Sequence, residues 1–268
     1  MKLVNIFEAI FLGLVQGITE VLPISSSGHL VIMPWIFKFP DPGLAFDVAL
    51  HLGTLTAIII YFWQDILNII RSFIETVRKR QIKSFDDRLP YLILLATIPG
   101  VVFGYLLDNL AEKAFRSPLI VAATTFFFAL VLLWVERMNH QKKMEEMTTK
   151  NAFITGFGQA IAIIPGVSRS GITISAGMFQ GFTRESAAKF SFLISIPIIA
   201  GAGLVQVRKI PMQEFSTSVF WAGLIAAILA SFVSVKFLMS FVKNHKLNVF
   251  AYYRFGLAAL IIILYLWR

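Results

Sequence analysis

Apolar positions in this chain do not alternate or recur on one face; they run in blocks. Stretches at about 44–64, 90–107, 118–135, 186–206, 218–241 and 251–267 each reach the roughly 20 residues a helix needs to cross ~30 Å of hydrocarbon. Six spanning helices are predicted. Two further apolar stretches, 3–22 and 151–165, end differently, each running into a proline and a Ser/Gly cluster: Pro23 before Ser25-Ser26-Ser27-Gly28, and Pro165-Gly166 before Ser168-Arg169-Ser170-Gly171. Broken backbone at membrane depth is tolerated only where it is buried in protein or lines a wet cavity. The segments 3–37 and 151–181 therefore read as helix–break–helix hairpins, with two plain spans as the alternative.

The two breaks are copies of one framework. A single spacing of 143 residues separates Gly13 from Gly156, Gln16 from Gln159, Ser25 from Ser168, Ser27 from Ser170 and Gly28 from Gly171. One copy adds Glu20 and His29, the other Arg169, so the halves share a scaffold and differ in chemistry. The expectation is a single membrane domain, 1–268, with repeat 1 at about 1–140 and repeat 2 at about 150–268. A hairpin plus three crossings per half is an odd count, which inverts the second copy and lets the hairpins meet near the midplane from opposite faces. The expected fold class is an all-α polytopic membrane protein of two inverted-topology repeats, each a re-entrant helix hairpin plus three transmembrane helices.

Composition agrees with this: 57% hydrophobic residues, 15% charged and a mean hydropathy of +0.76, against about 25% charged in soluble domains. The net charge of +9 gathers in short segments between apolar blocks and reads as a topology signal, not as a nucleic-acid surface. The loops 65–89 and 136–150 are expected in the cytoplasm, the tip 108–117 outside, and Lys243 and Lys246 in the cytoplasm, while Arg208 and Lys209 are ambiguous. The part 76–88 reads as a solvated basic loop able to meet anionic lipid. Arg184, Glu185 and Lys189 read as an interfacial first turn. With Lys2 the lone early base and Glu8 interrupting the apolar run, the first segment is expected to be retained, not cleaved. There is no Cys, which excludes disulfides, thiolate nucleophiles and Cys-based metal centres.

The chemistry concentrates at the breaks. Gln16 and Glu20 are four apart and share a helix face; Pro23 ends that helix. Ser25, Ser26 and Ser27 then cap and begin the next one, where free N–H groups and the positive dipole end favour an anion. His29, three residues beyond Ser26, falls within expected reach of its hydroxyl. The second break offers another helix start with Ser168, Ser170 and Thr173, and Arg169 supplies a fork matched to phosphate oxygens. Together these describe a site for phosphate or diphosphate. A carboxylate there must be protonated or share a divalent cation with the phosphates, so Glu20 is a candidate ligand for Mg²⁺ or Ca²⁺. The plainer readings are a structural Glu20–Arg169 salt bridge and serines used for helix packing. Asp47 and His51 are either supports of this site or a local pair. Arg254, in Tyr253-Arg254-Phe255, reads as a snorkelling interfacial arginine.

On these residues the chain resembles the undecaprenyl-diphosphate phosphatase family, also called the bacitracin resistance family. Gln16-Gly17-Ile18-Thr19-Glu20 with Leu22 to His29 matches its first motif, Pro165 to Thr173 its second, and the likeness extends through Phe46–Thr54 to the terminal Tyr-Arg-Phe. The resemblance implies hydrolysis of undecaprenyl diphosphate to the monophosphate and phosphate, carrier recycling for bacterial cell-wall synthesis, and bacitracin resistance. It also implies six spans with two re-entrant hairpins, in a multi-pass protein of the bacterial inner membrane with its site open outward. Carried over by position, Glu20, Ser26, His29 and Arg169 are catalytic, and Gln16, Ser25, Ser27, Ser168, Ser170 and Thr173 bind substrate. Some members have Glu where this chain has Gln16, which weakens the case for a two-carboxylate metal site. Attack by Ser26 with His29 as base, and direct attack by water activated by His29 or Glu20, both stay open. The expected partners are a polyprenyl diphosphate lipid and membrane lipids; a homodimer is left open. The rival class is a lipid flippase or secondary transporter, which needs the anion ligands but no nucleophile–base pair, and the two functions are compatible in one protein.

Overall fold

The computed structural model describes residues 5–37, 44–113, 117–208, 215 and 217–267. The described residues are helical and contain no sheet, only one isolated bridge between Lys142 and Phe182. The helices are α1 (Ile6–Val21), α2 (Ser26–Phe37), α3 (Leu44–Tyr61), α4 (Trp63–Lys79), α5 (Phe85–Lys113), α6 (Pro118–Val135), α7 (Thr149–Ile161), α8 (Arg169–Phe179), α9 (Arg184–Val207), α10 (Ser218–Asn244) and α11 (Asn248–Leu266). Lys209 and residues 114–116 of the expected outer tip lie outside the described residues.

Five helices, α5, α6, α9, α10 and α11, are long and apolar enough to cross a membrane; α3 adds a sixth if it and α4, bent by 80° at Phe62, count as one span. The chain is a multi-pass membrane protein. Large apolar side chains on the outside of these helices, among them Leu94, Val101, Phe127, Leu229 and Leu260, stay exposed, as a lipid-facing surface requires and a water-facing one would not tolerate. The alternative of eight plain spans fails on length. Helices α1, α2, α7 and α8 have 16, 12, 13 and 11 residues, and at about 1.5 Å per residue none bridges ~30 Å. Instead they pair as two hairpins. Phe11 of α1 meets Phe37 of α2 with ring centroids 5.5 Å apart, and Asn151 at the start of α7 donates to Gln180, just past α8, at 2.9 Å.

The repeated glycines explain how each hairpin docks. A Cβ on Gly13 would lie 2.3 Å from the carbonyl oxygen of Gly223 in α10, and one on Gly156 would lie 2.2 Å from that of Ala96 in α5. Each hairpin thus presses backbone to backbone against a helix of the other half, the close approach that small residues permit in membranes. Two expectations need correction. Most of 65–89 is not a loop: Trp63, Ile66, Ile70, Ile74 and Val77 recur at helical spacing, and α4 forms on that amphipathic pattern until Arg80 ends it at φ +52°. Arg184 is not merely interfacial. It grips the buried Glu136 through two bonds of 2.8 and 2.6 Å, and Glu136 also accepts from the Leu247 N–H at 2.8 Å, which ties α6, α9 and the start of α11 together. Glu8, read as an interruption, completes a capping box with Asn5 at the start of α1.

Candidate functional site

Both breaks end in the same backbone device. Ser25 and Ser168 stand at φ +74° and +72°, a left-handed conformation that costs a non-glycine residue about 1–3 kcal/mol and persists where surrounding contacts enforce it. Each hydroxyl accepts from the N–H three residues on, Gly28 at 3.3 Å and Gly171 at 3.1 Å. Helices α2 and α8 therefore start at equivalent points, with Ser26 and Arg169 as their first residues. The strain occurs at positions 143 apart, as the repeat requires.

Glu20, on the last turn of α1 and only 8% exposed, is where the halves meet. Its carboxylate accepts from the Ser26 hydroxyl across the first break and from Arg169 Nη2 across the second. Gln16 donates to it at 3.1 Å, and His51 Nε2 stands 3.3 Å from Oε2. His51 is oriented by donating from Nδ1 to the Asp47 main-chain carbonyl at 2.7 Å. Of the two readings of Asp47 and His51, support of the site is the one whose geometry is seen, through the Asp47 carbonyl oxygen. Arg169 also donates from Nη1 to Ser195 O at 3.4 Å.

These groups close one end of a cavity of about 370 Å³. Thr19, Glu20, Ser25, Ser26, Ser27, His51, Gln159, Ser168 and Arg169 line the polar end, and Gly100, Gly104, Ile198, Ile199 and Ala202 the apolar walls between α5 and α9. Among the residues expected to bind substrate, Ser25, Ser27 and Ser168 reach this cavity. Gln16, Ser170 and Thr173 stand behind it: Ser170 donates to Leu22 O at 3.1 Å, joining one break to the other, and Thr173 donates to Arg169 O at 2.7 Å and meets Ser191 Oγ at 2.6 Å.

The expected Ser26–His29 pair does not form. His29, 2% exposed, donates from Nδ1 to Ser25 O at 2.6 Å, and its Nε2 faces the Tyr253 hydroxyl at 2.8 Å, with the rings stacked. Three residues along a helix brings two side chains to one face, but the ring turns back toward the Ser25 carbonyl at the start of α2, which also accepts the His29 N–H at 3.3 Å. Arg254 also departs from expectation. It is 1% exposed and buried against both breaks, not extended to an interface. The sequence reads Tyr253 as part of an interfacial aromatic belt and gives Gln159 no role in the site; the one available signal for Gln159 was its place in the repeat.

With this geometry described, the chain can be compared with known proteins. The family described as "Bacitracin resistance protein BacA" matches residues 9–260. A protein named undecaprenyl-diphosphatase from Moorella thermoacetica is 46% identical over 262 residues, covering 97% of this chain and 98% of the relative. Proteins of the same name from Desulforudis audaxviator and Caldicellulosiruptor bescii are 43% and 44% identical over 265 residues each, covering 98% of this chain and 99% and 98% of the relatives.

Proposed function

The chain belongs to the bacitracin resistance protein BacA family, and from that premise we propose that it hydrolyses undecaprenyl diphosphate to undecaprenyl phosphate and inorganic phosphate. In a bacterial cell membrane this recycles the carrier for cell-wall synthesis and confers bacitracin resistance. The observation that carries the reading is the meeting of Ser26, Glu20 and Arg169 from both breaks at the polar end of a mostly apolar cavity. A diphosphate headgroup fits the two helix starts and the guanidinium; the first isoprene units fit the walls formed by Ile198, Ile199 and the small residues of α5 and α9.

In the reaction, Arg169 turns its fork from Glu20 to the phosphate oxygens. The Ser26 oxygen then attacks the terminal phosphorus and passes its proton to Glu20, which already accepts its hydrogen bond. The bond from that phosphorus to the bridging oxygen breaks, and its electron pair leaves on undecaprenyl phosphate. Water then attacks the phosphoserine phosphorus, the bond from that phosphorus to the Ser26 oxygen breaks, and Glu20 returns its proton to that oxygen. Inorganic phosphate departs carrying the water oxygen, with the water's remaining protons shared between phosphate and solvent. Catalysis of this kind rests on positioning and charge neutralisation. His29 orients the first break through Ser25. A divalent cation, Mg²⁺ or Ca²⁺, suits the site as a partner of the substrate: the protein offers one carboxylate, Glu20, and the buried Gln16 Oε1, which has no hydrogen-bond partner among the described residues. Phosphate and water oxygens would complete the shell, and the cation would offset diphosphate charge.

Purified protein in detergent is expected to release phosphate from a polyprenyl diphosphate. A flippase or transporter without phosphatase chemistry would release none, because detergent abolishes transport and leaves hydrolysis intact.

The inverted-repeat arrangement belongs to the same proposal. Hairpin α1–α2 packs on α10 of the second half and hairpin α7–α8 on α5 of the first, an exchange that an inverted pair would make. Val48, Gly104 and Gln206 line the cavity toward the ends of α3, α5 and α9 away from the basic segments 65–89 and 136–150, which supports opening to the outer face. Single cysteines placed at Lys79, Lys143, Thr149 and Thr183 are expected to react with an impermeant thiol reagent from the cytoplasm alone. Reaction of Thr149 and Thr183 from opposite faces would mean that the second hairpin crosses, and would overturn the arrangement.

A further inference from the structure

Arg254 is the bulkiest side chain fully shut from solvent in the described structure. Within the membrane that is a costly place for a cation, and none of the ion pairs among the described residues involves it. Its hydrogen bonds go to main-chain carbonyls of three separate segments. Nε donates to Thr125 in α6 at 3.2 Å; Nη1 donates to Pro23 in the first break at 3.3 Å and to Val167 in the second at 3.0 Å; Nη2 donates to Gly166 in the second at 2.8 Å. The breaks strip the Pro23, Gly166 and Val167 carbonyls of helical partners, and unsatisfied carbonyls are expensive where water is scarce. Only a planar fork with five N–H groups can gather so many at once. Room for it comes from Gly171, where a Cβ would sit 3.1 Å from Nη1.

Resting on the hydrolytic reading above, we propose that Arg254 is a positioning residue that fastens the two breaks into one rigid unit and thereby fixes Ser26 against Arg169. The distances along the chain are short: Pro23 lies three residues before Ser26, and Val167 two before Arg169. Arg254 does not line the cavity, so it acts through the backbone that carries the reacting groups and not on the substrate. Its neighbour Tyr253 braces the same break through His29, which makes this turn of α11 a common support for the site.

Arg254→Lys is the test. Three donors on a single nitrogen cannot span four carbonyls in three segments, so kcat for diphosphate hydrolysis is expected to fall about 10- to 100-fold, as small misplacements of reacting groups do, while KM changes little. Hydrogen–deuterium exchange in ligand-free protein is expected to rise in peptides covering 22–28 and 164–170 together, with the rest of the chain unchanged. Normal kcat, a rise at one break alone, or a rise spread over the whole chain would each overturn the proposal. If the lysine variant does not yield monodisperse protein, Arg254→Gln, which keeps two donors, is read in the same way; failure of both to fold would make Arg254 a folding residue and also overturn it. The exchange readout separates this proposal from the hydrolytic one: wild-type protein that released no phosphate would sink the latter, while the paired response of the two breaks to Arg254→Lys would still stand.

Discussion

Ser26→Ala is expected to lower phosphate release by on the order of 10³-fold or more, because it removes the attacking oxygen itself. The protein should still fold. Ser26 contributes one side-chain hydrogen bond to Glu20, and Gln16, Arg169 and His51 continue to satisfy that carboxylate. The flanking serines give the control. Ser25→Ala loses a cap bond to Gly28, worth about 1 kcal/mol of local stability, and Ser27→Ala loses a 3.4 Å contact with Ser25; both are expected to reduce turnover far less. Initial rates in detergent for the three variants decide the matter. Similar, mild losses at all three would remove Ser26 as nucleophile and leave direct attack by water, with the hydroxyls serving as anion ligands.

Arg169→Lys is expected to cost on the order of 10²-fold in kcat/KM. The choice of lysine matters. Removing the cation would leave Glu20 buried beside an empty partner position, a defect worth about 3–5 kcal/mol that would confound folding with chemistry. Lysine keeps the charge next to Glu20 and discards the planar fork that bonds Glu20 and Ser195 and would clasp two phosphate oxygens. If the Glu20–Arg169 contact were only an inter-repeat salt bridge, the lysine variant would work nearly as well as the original, and steady-state kinetics would show it.

The second expectation depends on a contact between residues 149 positions apart and the first on one between residues six apart, and the sequence revealed the components better than their pairing. The six long apolar blocks coincide with α3, α5, α6, α9, α10 and α11 because the length of a membrane span is set by the thickness of hydrocarbon, whatever the neighbours. The breaks at 22–25 and 162–168 were legible in Pro23 and Pro165, and the meeting of Glu20, Ser26 and Arg169 followed from a repeat carrying unlike charges. The helix α4 was hidden by counting charges where periodicity was the better guide; its apolar face was present at 63, 66, 70, 74 and 77 all along.

The local rules of the chain thus determined on their own which segments are helices, where two of them break, and which polar groups stand at those breaks, since each depends on neighbours a few residues away. Where His29 and Arg254 point was decided only by the tertiary structure. His29 shares a helix face with Ser26, yet its ring is claimed by the Ser25 carbonyl and by Tyr253 from α11. Arg254 lies within the apolar block 251–267, where an outward-reaching side chain and an inward one leave the same mark in sequence. It turns inward because two broken loops, far apart along the chain and adjacent in space, leave carbonyls that water does not reach and that no other described side chain donates to as a group.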